Sequence, residues 1–281
     1  MLLDHADVRP VFRKLSRQLS KLGSKSAPDA VHKFRTSSRR VEVLVTDLAQ
    51  ERSRNDKKLL KLLDRLRKKS GRVRDLDVEI AALRSLKIPQ EPARKSRLMR
   101  TLAEERANRE KKLIKVLNKK TIAEVRKRLK RTAGTLEIPG TTNPVEVAMR
   151  KITELEVGNS AVSEQTLHSF RLASKRARYI AEMAGHDAEG MRLVEQLKRM
   201  QDAIGDWHDW EQLARRAEKL YGGAQDSALV AALRNVTRAK FRQAVNVLTE
   251  TRSTLTGKKR ASVTTVRPGS LPHPVPDTAV A

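Results

Sequence analysis

Two nine-residue segments, 32–40 and 168–176, carry the side chains best suited to chemistry in this chain. Both have His first, Phe third, Arg fourth, Ser seventh and two basic residues last. At about 100° per residue of an α-helix, the His and Arg positions share one face, and the Phe and Ser positions lie opposite. An ordinary amphipathic helix has an outer face of mixed charge. The segments therefore predict two cationic helix faces, each suited to binding anions.

Arginine and lysine in rows suit ligands rich in phosphate. The planar Arg side chain stays charged and grips phosphate oxygens in pairs, while Lys supplies a mobile point charge. Rows from several helices match an extended polyanion better than one tight pocket does. The alternative is a solvated face that only keeps a helix soluble, and the duplication argues against it. The leading candidate contacts are Arg35, Arg39, Arg40, Arg171, Lys175 and Arg176.

His32 and His168 lie at the centre of the two cationic faces. They could donate hydrogen bonds to phosphate, orient neighbouring Arg side chains, or pack as ordinary helix residues, and we favour phosphate contact. Histidine titrates near pH 6.5. Because nearby Arg charges disfavour protonation until an anion binds, we expect tighter binding at pH 6 than at pH 8.

A second motif is also duplicated, in segments 63–75 and 197–209. Each has Leu-x-Arg followed by Gly-x-x-basic-Asp, and the offset is 134 residues, against 136 for the His segments. Near-constant spacing of two motifs indicates internal duplication of a four-helix unit. The secondary candidates for anion binding in or near these motifs are Arg65, Lys69, Arg72, Arg74, Arg178, Lys198, Arg199 and His208.

Other residues have supporting roles in this interpretation. Asp75 and Asp209 orient the basic residues beside them, and Asp77 has no counterpart in the second unit. Phe34 and Phe170 lie on the apolar faces and anchor the core. Cations on the long closing helices rank lower as candidates, because the sequence does not fix which way their side chains point. They are Arg106, Arg109, Lys112, Arg238, Lys240 and Arg242.

Helical periodicity runs almost throughout the chain and predicts an all-α fold. Prolines and glycines mark the predicted breaks. Pro28 begins the first His helix, and Gly71 and Gly205 interrupt the helices of the second motif. A long helix closes each unit, over about 93–118 with a further basic segment after it, and over about 226–255.

The composition limits the class of protein. The 281 residues carry a net charge of +27, contain no Cys and are only 3% aromatic. Such a charge calls for a polyanionic partner, but few aromatics are available to stack nucleic-acid bases. The positive charge is uneven: residues 1–140 carry +22, whereas residues 141–251 carry +1. We therefore expect the first unit to dominate long-range attraction.

The His-x-Phe-Arg-x-x-x-Arg-Arg segment, followed by Gly-x-x-Arg-Asp-Leu-Asp at 71–77, resembles the CHAD domain family, the conserved-histidine α-helical domains. The resemblance covers residues 5–255, with one four-helix repeat over 5–140 and another over 141–255. It implies two bundles related by a pseudo-two-fold axis around a central basic groove or pore that binds inorganic polyphosphate. Residues 256–281 are rich in proline and are predicted to be disordered.

Other functions receive less support. The His-Asp pairs at 186–187 and 208–209 resemble metal-dependent phosphohydrolases, but Arg-rich surroundings repel cations, so we expect no enzyme activity, no metal and no cofactor. Sequence-independent binding of RNA or DNA is the main alternative. No apolar run is long enough to span a bilayer, no secretory signal opens the chain, and no apolar wedge suggests membrane binding. We expect a cytoplasmic protein associated with polyphosphate granules, and the oligomeric state is open.

Overall fold

The computed structural model describes residues 5–24, 26–155, 162–185 and 187–256. These residues form α-helices without a strand among them, so the predicted all-α class is confirmed. The tail predicted to be disordered lies outside the described residues, apart from its first residue. The helices are α1 (His5–Ser24), α2 (Pro28–Val43), α3 (Arg54–Ser85), α4 (Pro92–Val116), α5 (Lys119–Thr135), α6 (Pro144–Thr153), α7 (Glu164–Ala181), α8 (Ala188–Tyr221) and α9 (Ala228–Thr256), with a π-helical turn at Leu44–Leu48 and a 3₁₀ turn at Glu182–Ala184.

Polar caps and prolines begin the helices that carry the motifs. Pro28 is the first residue of α2, as the sequence predicts. Ser53 and Asp56 form a capping box at the start of α3, and Ser163 accepts a backbone hydrogen bond at the start of α7. Such caps stabilise a helix by about 1 kcal/mol each because they satisfy amides that have no partner within the helix.

The predicted breaks at Gly71 and Gly205 are wrong, because α3 and α8 run through them. A glycine costs a helix interior about 1 kcal/mol relative to Ala, and burial of the surrounding leucines offsets that cost. Gly71 also has a positive reason to be there. A Cβ atom at this position would lie only 2.7 Å from Nη1 of Arg35.

Two hydrophobic clusters hold the helices together. The larger one includes Phe34 and Phe170, both fully buried, which confirms their predicted role as core anchors. The smaller one lies where the end of α3 and the start of α4 meet the end of α8 and the start of α9, around Leu83, Leu102 and Leu213. Leu83 and Leu213 come from different units, so this cluster joins the two long helical hairpins.

The two units repeat the same packing order. In each, consecutive helices pack on one another, from α1 to α4 and from α6 to α9. The closing helix of the first unit is divided in two, and its second part, α5, packs on α1 and α3. Between the units, α2 packs on α7 and α3 packs on α8. The four helices that carry the duplicated motifs therefore meet at the contact between the units.

Candidate anion-binding site

Charged side chains from α2, α3, α7 and α8 come together where the units meet. The charges of Arg35 and Arg39 act on Lys175 of the other unit, and those of Arg171 and Lys175 act on Asp75. This electrostatic coupling across the units shows that the motif residues share one region. We call the set the central cluster; its members are Arg35, Arg39, Arg74, Asp75, Arg171, Lys175, His208 and Asp209.

Arg35 lies across α3 and is held there. Its Nη1 donates a hydrogen bond to the backbone carbonyl of Arg67 at 2.6 Å. The side chain passes over Gly71, where any Cβ would collide with the guanidinium. The glycine of the second motif therefore makes room for the arginine of the first motif.

Arg39 is paired within its own unit. Its Nη1 lies 2.7 Å from Oε2 of Glu42, whose Oε1 lies 2.7 Å from Nη2 of Arg67. Arg67 is 5% exposed and also donates to Oγ of Ser38 at 3.1 Å. Burial lowers the pKa of Arg67 to about 10, and Glu42 opposes that shift. Glu42 thus balances two cations of the first unit.

Arg171 and Lys175 occupy the matching positions of the second unit without such partners. Neither side chain makes a hydrogen bond or ion pair with another described residue, and the Arg171 Nε atom is buried. Burial first, and then the charges of Arg171, Arg35 and Arg39, lower the pKa of Lys175 to about 8, although the charge of Asp209 opposes the shift. These are cations held near other cations without a neutralising contact. Arg74 of the first unit likewise makes no such contact with a described residue.

Asp75 and Asp209 face the cations from the two sides of the pseudo-symmetric cluster. Partial burial raises the pKa of Asp75, and Arg35 and Arg171 act in the opposite direction. Burial raises the pKa of Asp209 to about 6 against the opposing charges of Arg171 and Lys175. Neither carboxylate forms a direct ion pair among the described residues. Their attraction to the cations therefore acts without direct contact.

Three histidines border the central cluster. His32 and His168 are exposed, and the ring of His168 lies 6.1 Å from that of His208. Partial desolvation by the surrounding protein, followed by the charge of Arg74, lowers the pKa of the otherwise exposed His32. Burial and the charges of Arg171 and Lys175 lower the pKa of His208 to about 4. His208 is therefore a neutral hydrogen-bonding group near pH 7, where its counterpart Arg74 is a cation.

The last cation of each His segment joins the units. Nε of Arg40 lies 2.7 Å from Oε2 of Glu182, and Nη2 of Arg176 lies 2.8 Å from Oδ1 of Asp47. Glu182 lies in the 3₁₀ turn after α7, and Asp47 in the π-helical turn after α2, so the two ion pairs are equivalent. Arg178 also pairs with Glu182, at 3.3 Å. These side chains stabilise the contact between the units and are less available to a ligand.

A model of the CHAD domain matches residues 6–218. The chain belongs to the CHAD domain family. The sequence interpretation of the family is thereby confirmed.

Two solved structures share the fold of this CHAD domain. PptA from Streptomyces chartreusis is 14% identical with a TM-score of 0.63, over 92% of this chain and 100% of that chain. The CHAD domain from the plant Ricinus communis is 16% identical with a TM-score of 0.61, over 88% of each chain. No curated protein matches the sequence. At these identities the structural likeness establishes the fold alone.

Some of the secondary candidates of this CHAD domain lie away from the central cluster. Arg65, Lys69 and Arg72 line a cavity of about 680 Å³ on the outer side of α3, facing α5. Lys198 is exposed on α8, and Arg199 pairs with Glu250 of α9 at 2.7 Å.

The cations of the closing helices divide into clamps and exposed groups. Arg106 contacts Asp77 at 2.8 Å, Glu110 at 2.6 Å and a backbone carbonyl before α2 at 2.9 Å, so it is a structural clamp. Arg109 pairs with Glu105 at 3.0 Å, and Lys240 with Asp206 at 3.0 Å. The exposed cations of this group are Lys112, Arg238 and Arg242.

The statement that Asp77 lacks a counterpart is wrong. Glu211 lies at the 134-residue offset and binds Arg234 of α9 at 2.7 Å, as Asp77 binds Arg106 of α4. The change from Asp to Glu hid the correspondence. Sequence reasoning also missed Arg67 and Glu42, whose positions at the offsets hold Gln201 and Arg178, so no repeated pattern marked them.

Proposed function

We propose that this CHAD domain binds inorganic polyphosphate in the central cluster, between the two units. The observation that carries the proposal is the pair Arg171 and Lys175, whose side chains make no hydrogen bond or ion pair with a described residue, and of which Lys175 also feels the charge of Arg35 from the other unit. Like charges this close repel one another and destabilise the empty fold. A bound phosphate chain relieves the repulsion and accepts hydrogen bonds from the free N–H donors. Each hydrogen bond to a charged group contributes about 1.5–3 kcal/mol.

The composition supports a ligand read by its phosphates. Aromatic residues are scarce in the chain. Near the central cluster, Phe170, Tyr179 and Trp207 are buried, and Trp210 is half-buried against the smaller hydrophobic cluster. Platforms for stacking nucleotide bases are therefore lacking among the described residues of the cluster. A linear chain of phosphates needs only the cations.

We also propose that the domain acts by binding alone. Among the described residues, no group of three or more His, Asp or Glu could hold a metal ion, and no helix is long and apolar enough to cross a membrane. The positive surroundings of Asp75 and Asp209 oppose binding of a divalent cation. Release of phosphate from polyphosphate on addition of divalent metal would contradict this part of the proposal.

The test is competition at constant ionic strength. Polyphosphate is expected to displace a labelled DNA duplex at a much lower phosphate concentration than duplex needs to displace labelled polyphosphate. Salt dependence alone does not separate the ligands because both release counterions. If DNA or RNA competes equally well per phosphate, the domain is a general polyanion binder and the proposal is wrong.

A further inference from the structure

A second cationic surface lies outside the central cluster, on the outer side of α3. We define the outer groove as the cavity of about 680 Å³ between α3 and α5. Six cations of α3 line it: Lys68, which pairs with Asp64, and five others, Lys58, Lys61, Arg65, Lys69 and Arg72. None of the five makes a hydrogen bond or ion pair with a described residue. The outer groove therefore carries a row of cations without direct partners among the described residues.

The outer groove is separate from the central cluster. At 100° per residue, Arg65 and Arg72 point about 110° away from the face of α3 that carries Gly71, Arg74 and Asp75. The second wall of the groove comes from α5, which packs on α1 and α3 and supplies no member of the central cluster.

The five cations form a straight track. They recur every three or four residues, which places neighbouring side chains one turn apart on the same helix face. From Lys58 to Arg72 the track is about 21 Å long. Like charges at this spacing destabilise a helix unless something neutralises them. The acids of the groove do not do so for these five, because Asp64 pairs with Lys68 at 2.8 Å and Glu124 pairs with Arg128.

We infer that the outer groove is a second binding site for a linear inorganic phosphate chain. The length of the groove and its row of unpaired cations suit an extended strand of phosphates. The lining holds Leu62 but no aromatic residue, so bases have nothing to stack on. The inference depends on the proposed function only for the class of ligand, since the two sites share no residue.

The test counts sites by calorimetry with a short polyphosphate of defined length. The wild-type chain is expected to bind two molecules. The variant Lys61→Gln/Arg65→Gln/Lys69→Gln is expected to bind one molecule. Its affinity for long-chain polyphosphate is expected to fall by about tenfold. The matched control Arg97→Gln/Arg100→Gln/Lys111→Gln removes the same charge from exposed positions of α4. It is expected to keep both sites and to change affinity less than threefold.

The variant Arg171→Gln/Lys175→Gln separates this inference from the proposed function. If it loses one site and the groove variant loses the other, both statements hold. If it keeps both sites while the groove variant loses one, the central proposal fails and the outer groove stands. The inference is wrong if the groove variant behaves like the α4 control. It is also wrong if that variant loses only binding of single-stranded DNA.

Discussion

The two units of this CHAD domain present matching cations in opposite states. In the first unit, Arg35 is bonded to a backbone carbonyl and Arg39 is paired with Glu42. In the second, Arg171 and Lys175 at the same motif positions make no such contacts among the described residues. The first unit nevertheless carries most of the net charge. The net charge of a unit therefore differs from the number of its cations that lack an internal partner, and a ligand contacts those cations.

Much of the excess positive charge of the first unit lies outside the central cluster. Part of it lines the outer groove, on a face of α3 that turns away from the central cluster. Long-range attraction follows total charge, whereas short-range binding follows the cations that lack partners. We therefore expect the first unit to attract polyanions and the second to supply the strongest contacts in the central cluster. The following changes would break or sharpen that contrast.

The largest expected effect comes from neutralising the free pair. Arg171→Gln/Lys175→Gln is expected to weaken polyphosphate binding about 100-fold, since each charged hydrogen bond contributes about 1.5–3 kcal/mol. Arg39→Gln in the first unit is the comparison and is expected to cost less than tenfold, because Glu42 already engages Arg39. Calorimetric titration at low salt measures both. Equal losses would remove the contrast between the units.

Removing the charges of Asp75 and Asp209 is expected to change the affinity for polyphosphate in the opposite direction. Asp75→Asn/Asp209→Asn removes two negative charges that compete with an anion, so affinity is expected to rise about tenfold. The unliganded variant is expected to melt at or above the temperature of wild type at pH 7, because burial raises the pKa of both carboxyl groups and their charged forms therefore cost the native state stability. Thermal melting and titration of one preparation check both. A variant that binds more weakly would show that the carboxylates position the cations rather than compete for them.

The pH dependence of binding is expected to have two steps in one direction. Asp209, with a pKa of about 6, gains its negative charge as pH rises, and Lys175, with a pKa of about 8, loses its positive charge at higher pH. The cations that face Lys175, which are Arg171, Arg35 and Arg39, stay charged throughout. The Kd is therefore expected to rise several-fold between pH 5.5 and pH 9.

Variants assign the two steps. Asp209→Asn is expected to remove the lower step and Lys175→Met the upper one. His208, with a pKa of about 4, is neutral over this range and contributes neither step. A single step that persists in both variants would instead assign the effect to another titratable group.

The smallest expected effect is at the ion pairs between units. Arg40→Gln and Arg176→Gln each remove one partly exposed pair, which contributes about 1 kcal/mol or less. Each variant is expected to lower Tm by no more than a few degrees and to change Kd less than threefold. Melting with and without polyphosphate measures both quantities. A loss of affinity near that of the Arg171/Lys175 variant would place Arg40 or Arg176 among the ligand contacts.

The sequence predicts much of the fold because the repeats and helix faces are local patterns. Phe34 and Phe170 are core residues, and α2 begins at Pro28, as the periodicity and the proline indicate. The breaks at Gly71 and Gly205 failed because tertiary packing outweighs the helix propensity of one residue. In the case of Gly71, the partner that explains the glycine is Arg35, on another helix.

The states of the cations could not be predicted from the sequence. The pair Arg40 and Glu182 joins residues 142 positions apart and depends on a short turn after α7. Glu42 neutralises Arg39 in the first unit. The counterpart of Glu42 in the second unit is Arg178, and this difference lies outside the duplicated motifs. Which cations stay free is decided by non-repeated residues around the motifs.

The central claim is that Lys175 is kept charged and unpaired for an anion at a cost to the empty fold. The most direct test is the melting temperature of Lys175→Met, with and without saturating polyphosphate. The fold lowers the pKa of Lys175 to about 8, so below that pH its charge destabilises the native state, by about 1 kcal/mol after solvent screening. At pH 7 the unliganded variant is expected to melt about 2–4 °C above wild type and to lose most of the polyphosphate-induced rise. An unliganded Tm at or below that of wild type, with the full ligand-induced rise retained, would contradict the claim.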